Sequence, residues 1–170
     1  MVKNCNITEI MKAESIIKIR KTLEHSDRTT LQKLCLRLAK FKIENKELLT
    51  YLLYESSEED EYVKKIKYSI NNMFCEINTD NYFYIKKSVR KILRKIRRFS
   101  KYSNQPETEI ELLIYFCNKM INLKPSIFNN KTLTNILIRT IDLSKKKNFK
   151  LHEDLQYEYN IKIQELKDKI

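Results

Sequence analysis

A chain of 170 residues with 42% hydrophobic and 33% charged residues is long enough to bury one core and too apolar to stay disordered. It carries a net charge of +12, contains no glycine and has only two prolines. Without glycine there is no Walker A loop, dinucleotide-binding fingerprint, kinase glycine loop or G-x-S-x-G elbow, which removes the commonest nucleotide-binding and hydrolase classes.

The same absence shapes the fold. Tight hairpins and bulges lean on glycine for positive φ. A chain without it is most easily built from helices, with asparagine taking left-handed cap positions. Apolar residues recur at helical spacing throughout, and strand-like alternation is hard to find. The spacing predicts a first helix from about Asn6 to Glu24, opened by Asn6 with Glu9. A second runs from about Thr29 to Lys42 behind the capping box Thr29-x-x-Gln32, and a third from about Asn45 to Glu55. The fourth spans about Ser57 to Glu76 on Tyr62, Val63, Ile66, Ile70 and Phe74, and the fifth about Asn81 to Tyr102. The sixth starts at Pro106, which needs no amide hydrogen there, and reaches Leu123. The seventh runs from about Lys131 to Lys145 and the eighth from about Leu151 to Lys169.

Short connections predict antiparallel neighbours, so the fold class is all-α with about seven to eight helices. Residues 1–148 read as one helical domain. The polar run Ser144–Asn148 sets off 149–170 as a C-terminal helix that docks on the body or projects as an arm. Leu49-x-x-Leu52-Leu53, Val89-x-x-Ile92-Leu93 and Leu133-x-x-Ile136-Leu137 are spaced by 40 and 44 residues, near the HEAT period. Any amphipathic helix supplies such blocks. An irregular bundle and a short HEAT-like α-hairpin stack therefore both remain open.

The remaining chemistry is sparse. The cysteines at 5, 35, 75 and 117 form no C-x-x-C pair, and Cys35 and Cys117 sit on apolar helical faces as expected for buried thiols. His25 and His152 belong to no H-E-x-x-H or Glu-x-x-His motif. The acidic run Glu55–Glu61 suits a helix start better than a cation site. No catalytic residue, cofactor or metal ligand is identified. With no run of ~18 apolar residues and no signal-like start, the expectation is a cytoplasmic protein with no membrane segment.

The fifth helix is the local anomaly. Nine cations lie between Lys86 and Lys101 with no acid among them, and four of the chain's eight arginines fall between 90 and 98. At 100° per residue Ile85, Val89, Ile92, Ile96 and Phe99 gather on one side. Arg90, Arg94, Arg97 and Lys101 gather on the other, with Lys87 and Arg98 beside them. Such a ridge repels itself unless something neutralises it, and guanidinium groups in a row suit phosphate or carboxylate partners. Three readings stand open. The face is solvated and answered by the acidic run, it binds nucleic acid or another polyanion, or it docks an acidic protein. Tyr82, Phe83, Tyr84 and Tyr102 flank it, where they can either stack on bases or pack into the core.

Residues 44–55 (ENKELLTYLLYE) and 109–117 (EIELLIYFC), with 87–94 (KSVRKILR) between them, resemble a family of small uncharacterised helical proteins from Bacteroidetes-type bacteria. The resemblance covers about positions 30–120. It implies a bacterial cytoplasmic setting and carries no activity. The expectation is thus a non-enzymatic interaction module with a basic helix, or alternatively a structural or adaptor helical protein whose basic face is incidental.

Overall fold

The computed structural model describes residues 12–170. Among the described residues there are eight α-helices and no strand. They are α1 (Ile16–Glu24), α2 (Arg28–Phe41), α3 (Ile43–Thr50), α4 (Glu59–Cys75), α5 (Tyr82–Ser103), α6 (Pro106–Ile121), α7 (Lys131–Asn148) and α8 (Glu153–Lys167). No helix among these residues is long and apolar enough to cross a membrane. By its internal contacts the chain divides into two units, Met1–Glu47 and Leu48–Ile170.

In the first unit the expected capping pair Asn6 and Glu9 lies outside the described residues. Residues 12–15 are not helical, and α1 starts later because Ser15 caps it, its hydroxyl accepting from the Lys18 amide at 3.3 Å. Asp27, two residues before the expected box, caps α2. Its carboxylate accepts from the Thr30 amide at 3.0 Å and the Thr30 hydroxyl at 2.5 Å. The hydroxyl and then the amide of Thr30 hold the Asp27 carboxyl below its ordinary value. A carboxylate is the stronger acceptor for orphan amides, which explains why Asp27 caps the helix instead of Thr29. Neither α1 nor α2 buries a residue, and Cys35 is exposed, contrary to the expectation of a buried thiol. An amphipathic face is covered only when a further layer closes over it.

The second unit holds the core. α6 is apolar nearly all round and buries Ile110, Leu112, Leu113, Ile114, Phe116, Cys117 and Met120. It packs against α4, α5, α7 and α8, so the unit is a bundle around a central helix. Burial pushes the Cys117 thiol up to about 12. The three apolar blocks are not equivalent within the fold. Val89, Ile92, Leu93, Leu133 and Leu137 are buried, whereas Leu52 and Leu53 are exposed.

Three local features bind this unit together. A wide turn, Tyr51–Glu55, carries Tyr51 inward against the Tyr62 ring, 4.7 Å between centroids. Its phenol donates to Glu59 at 2.8 Å, and Ser103 and Thr108 donate to the other oxygen of the same carboxylate. Glu59 thereby links the starts of α4 and α6 to the end of α5. Burial and then Glu59 raise the Tyr51 phenol. At the end of α5, Asn104 takes the left-handed cap with φ 55°, the role expected of asparagine in a chain without glycine.

The Ser144–Asn148 run is helical, not a break. Ser144 is buried and bonds back to the Thr140 carbonyl at 3.0 Å. The buried Asn148 amide donates at 3.0 Å to both the Gln156 carbonyl and Asn160, tying α8 to the end of α7. α8 packs on α6 and α7 and buries Tyr159, Ile163 and Leu166. Residues 153–167 thus lie in the same unit as α4–α7, and the chain's division falls earlier, between Glu47 and Leu48.

Candidate anion-binding face

Asn81 caps α5 by accepting from the Phe83 amide at 2.8 Å. The helix then turns Ile85, Val89, Ile92, Leu93 and Ile96 into the core. This fixes the opposite face. Lys87, Arg90, Arg94, Arg97 and Lys101 are all exposed, and their spacing of three, four, three and four residues makes one stripe. At 1.5 Å per residue the stripe is about 21 Å long. Arg98, named with them from the sequence, lies apart. It is half-buried, with its guanidinium 5.5 Å from the centre of the Phe99 ring. Lys95 approaches the same ring at 5.5 Å and donates to Ser69 at 2.9 Å.

The acidic run does not answer this stripe. Glu55 pairs with Lys65 at 2.6 Å, Glu61 pairs with Lys64 at 2.7 Å, and Glu59 accepts the three hydroxyls described above. Lys67 pairs with Glu111. Among the described residues, none of Lys87, Arg90, Arg94, Arg97 and Lys101 lies within ion-pair distance of a carboxylate.

Two adjoining grooves run along the stripe. One, of about 660 Å³, is lined by Phe83, Lys86, Lys87, Arg90, Leu93, Arg94 and Arg97. The other, of about 400 Å³, brings Arg97 and Lys101 together with Lys147 and Lys150 beside the first residues of α6. Arg97 lines both, so cationic surface continues from α5 onto the end of α7. Glu109 is the carboxylate lining the second groove, and it pairs with Lys147 at 2.6 Å. Four cations against one carboxylate leave that groove positive. The sequence pattern sets Lys145, Lys146 and Lys147 in a polar run and singles out nothing at Lys150. Nothing in the local pattern shows that α7 ends beside Lys101, because only packing on α6 brings it there.

The flanking aromatics separate into two groups. Tyr102 is buried, and Tyr82 is half-buried with its hydroxyl donating to the Ser126 carbonyl at 2.8 Å. Phe83 and Tyr84 stay 62% and 48% exposed, which leaves these two able to meet a ligand. Both histidines lie at helix ends and are exposed. His25 is the C-cap of α1, and His152 is the N-cap of α8, 3.3 Å from Asp154. Among the described residues no group of three or more His, Cys, Asp or Glu is placed to hold a metal ion. Comparison with protein-family models, with curated proteins and with solved structures finds no match to this chain.

Proposed function

We propose that the chain is a cytoplasmic, non-enzymatic interaction module whose α5 face grips the phosphate backbone of a nucleic acid or a comparable polyanion. One observation carries the reading: Lys87, Arg90, Arg94, Arg97 and Lys101 form an exposed stripe that no carboxylate of the described residues neutralises, although an acidic run lies within the same unit. Like charges at i,i+4 repel, and a phosphate chain removes that repulsion while releasing its own counterions. Arginine adds bidentate geometry that lysine lacks. The second groove extends the same face to Lys147 and Lys150.

The test is a binding titration over a salt series with single- and double-stranded oligonucleotides of mixed sequence. Four phosphate contacts give a log–log slope near −3, at about −0.7 to −0.9 per contact. Arg94→Ala weakens that slope by about one unit, and sequence matters little because phosphate contacts carry no base information. No binding at low salt overturns the proposal. Binding that Arg94→Ala and Arg97→Ala leave unchanged moves the surface elsewhere, with Lys145, Lys146 and Lys147 as the next place to test.

A second reading is an adaptor that binds another protein, an acidic one where α5 is used. It draws support from the apolar surface on α2, where Leu38 is 61% and Phe41 75% exposed. Such a partner binds with a shallow salt dependence once apolar contacts dominate, which separates it from the first reading.

A further inference from the structure

Resting on the reading of α5 as a phosphate-binding face, we infer that its ligand is single-stranded nucleic acid, and that the Phe83 ring is a stacking platform for a base. Phe83 stands in the first turn of α5 and is 62% exposed. Its ring and that of Tyr84 meet in a T-shaped contact, 5.6 Å between centroids at 77°, which leaves at least one face of the Phe83 ring uncovered by Tyr84. It lines the same groove as Lys87, Arg90 and Arg94. A chain running along the stripe therefore brings its bases within reach of this ring.

The chemistry of the groove selects the ligand. Cations alone suit any polyanion and make no distinction between a duplex, a single strand and a sulfated sugar. An exposed ring adjoining them does. A duplex holds its base faces stacked inside and offers the ring base edges, sugar and phosphate, none of which is a stacking surface. A single strand offers an uncovered base face, which stacks on an aromatic side chain whatever the base, since every base has one. The side chains of Tyr82 and Tyr102 are engaged elsewhere, by the Ser126 carbonyl and by the core, so the platform reduces to Phe83 with Tyr84 at its edge.

The experiment uses the whole chain and three probes of equal length: a single-stranded oligothymidine, the same strand with abasic sites throughout, and a duplex. Phe83→Ala is expected to weaken oligothymidine binding by roughly 5- to 150-fold, the range for one base stacked on an aromatic side chain. It leaves the salt slope unchanged, because no phosphate contact is lost. Abasic and duplex probes bind wild type and Phe83→Ala alike. The chain has no tryptophan, so Phe83→Trp introduces a single selectively excitable ring. Its emission is quenched on adding oligothymidine and not on adding the abasic strand. If oligothymidine binds through Arg94 but Phe83→Ala binds as tightly as wild type and the Phe83→Trp emission does not change, the stacking inference is overturned and the basic face stands. If none of the three probes binds wild type at low salt, the basic face falls as well.

Discussion

α4 and α5 are neighbours of one design with opposite outer faces. Each packs on α6 and buries an apolar side in the core, α4 with Ile66, Ile70 and Phe74 and α5 with Ile85, Val89 and Ile92. On α4 the outward lysines Lys64, Lys65 and Lys67 each meet a carboxylate. On α5 the stripe from Lys87 to Lys101 meets none among the described residues. Burial alone therefore does not distinguish the two helices. The difference lies in whether the fold neutralises the charge it leaves outside.

The largest effect is expected where the two helices share support. Phe116 lies fully buried on α6, 5.7 Å from the Phe74 ring, and Phe116→Ala should destabilise the second unit by about 3–5 kcal/mol. Chemical denaturation measures this. A loss well under ~1 kcal/mol would mean that α6 is not the element both helices depend on.

The thiols test the same layering. Cys75, at the end of α4, and Cys35 are exposed and should label at once, whereas Cys117 on α6 should label only after unfolding. The buried Cys117 keeps its proton to about pH 12, while an unfolded thiol loses it near 9.0. Above pH 9 the unfolded state therefore holds fewer protons than the native one, and the stability this group lends at lower pH is lost progressively towards pH 12. Cys117→Ala should flatten that part of the pH–stability curve. Prompt native labelling of Cys117 would refute the placement of α6 beneath its neighbours.

Giving α5 the neutralisation that α4 has should break the contrast. Arg90→Glu places a carboxylate one turn before Arg94, the favourable order for an i,i+4 pair, and should stabilise the fold by about 0.2–0.5 kcal/mol at low salt. It should at the same time weaken polyanion binding and reduce its salt slope by at least about one unit. A melting temperature and a salt titration read both effects. Binding that survives intact would show that the stripe is not the surface. The converse change reads in stability alone. Glu55→Gln frees Lys65, which is itself largely exposed, and should alter stability by no more than about 1 kcal/mol without creating a binding face.

Helix identity was legible in the residues themselves. Period and the Pro106 start depend on neighbours within one turn, and α4, α5 and α6 lie close to where that local chemistry puts them. The two faces of α5 were legible for the same reason, since a helix separates positions by fixed rotation wherever it sits. Which groups meet across the fold was not. That Cys35 is exposed while Cys117 is buried depends on whether another layer covers each face. That the acidic run pairs with Lys64, Lys65 and three hydroxyls while the α5 stripe goes unanswered, and that Lys147 and Lys150 arrive beside Lys101, depends on how α5, α6 and α7 pack. Local spacing determines which face a side chain occupies; only tertiary contact decides what stands opposite, because charges distant in sequence interact strongly only once packing brings them within a few ångströms.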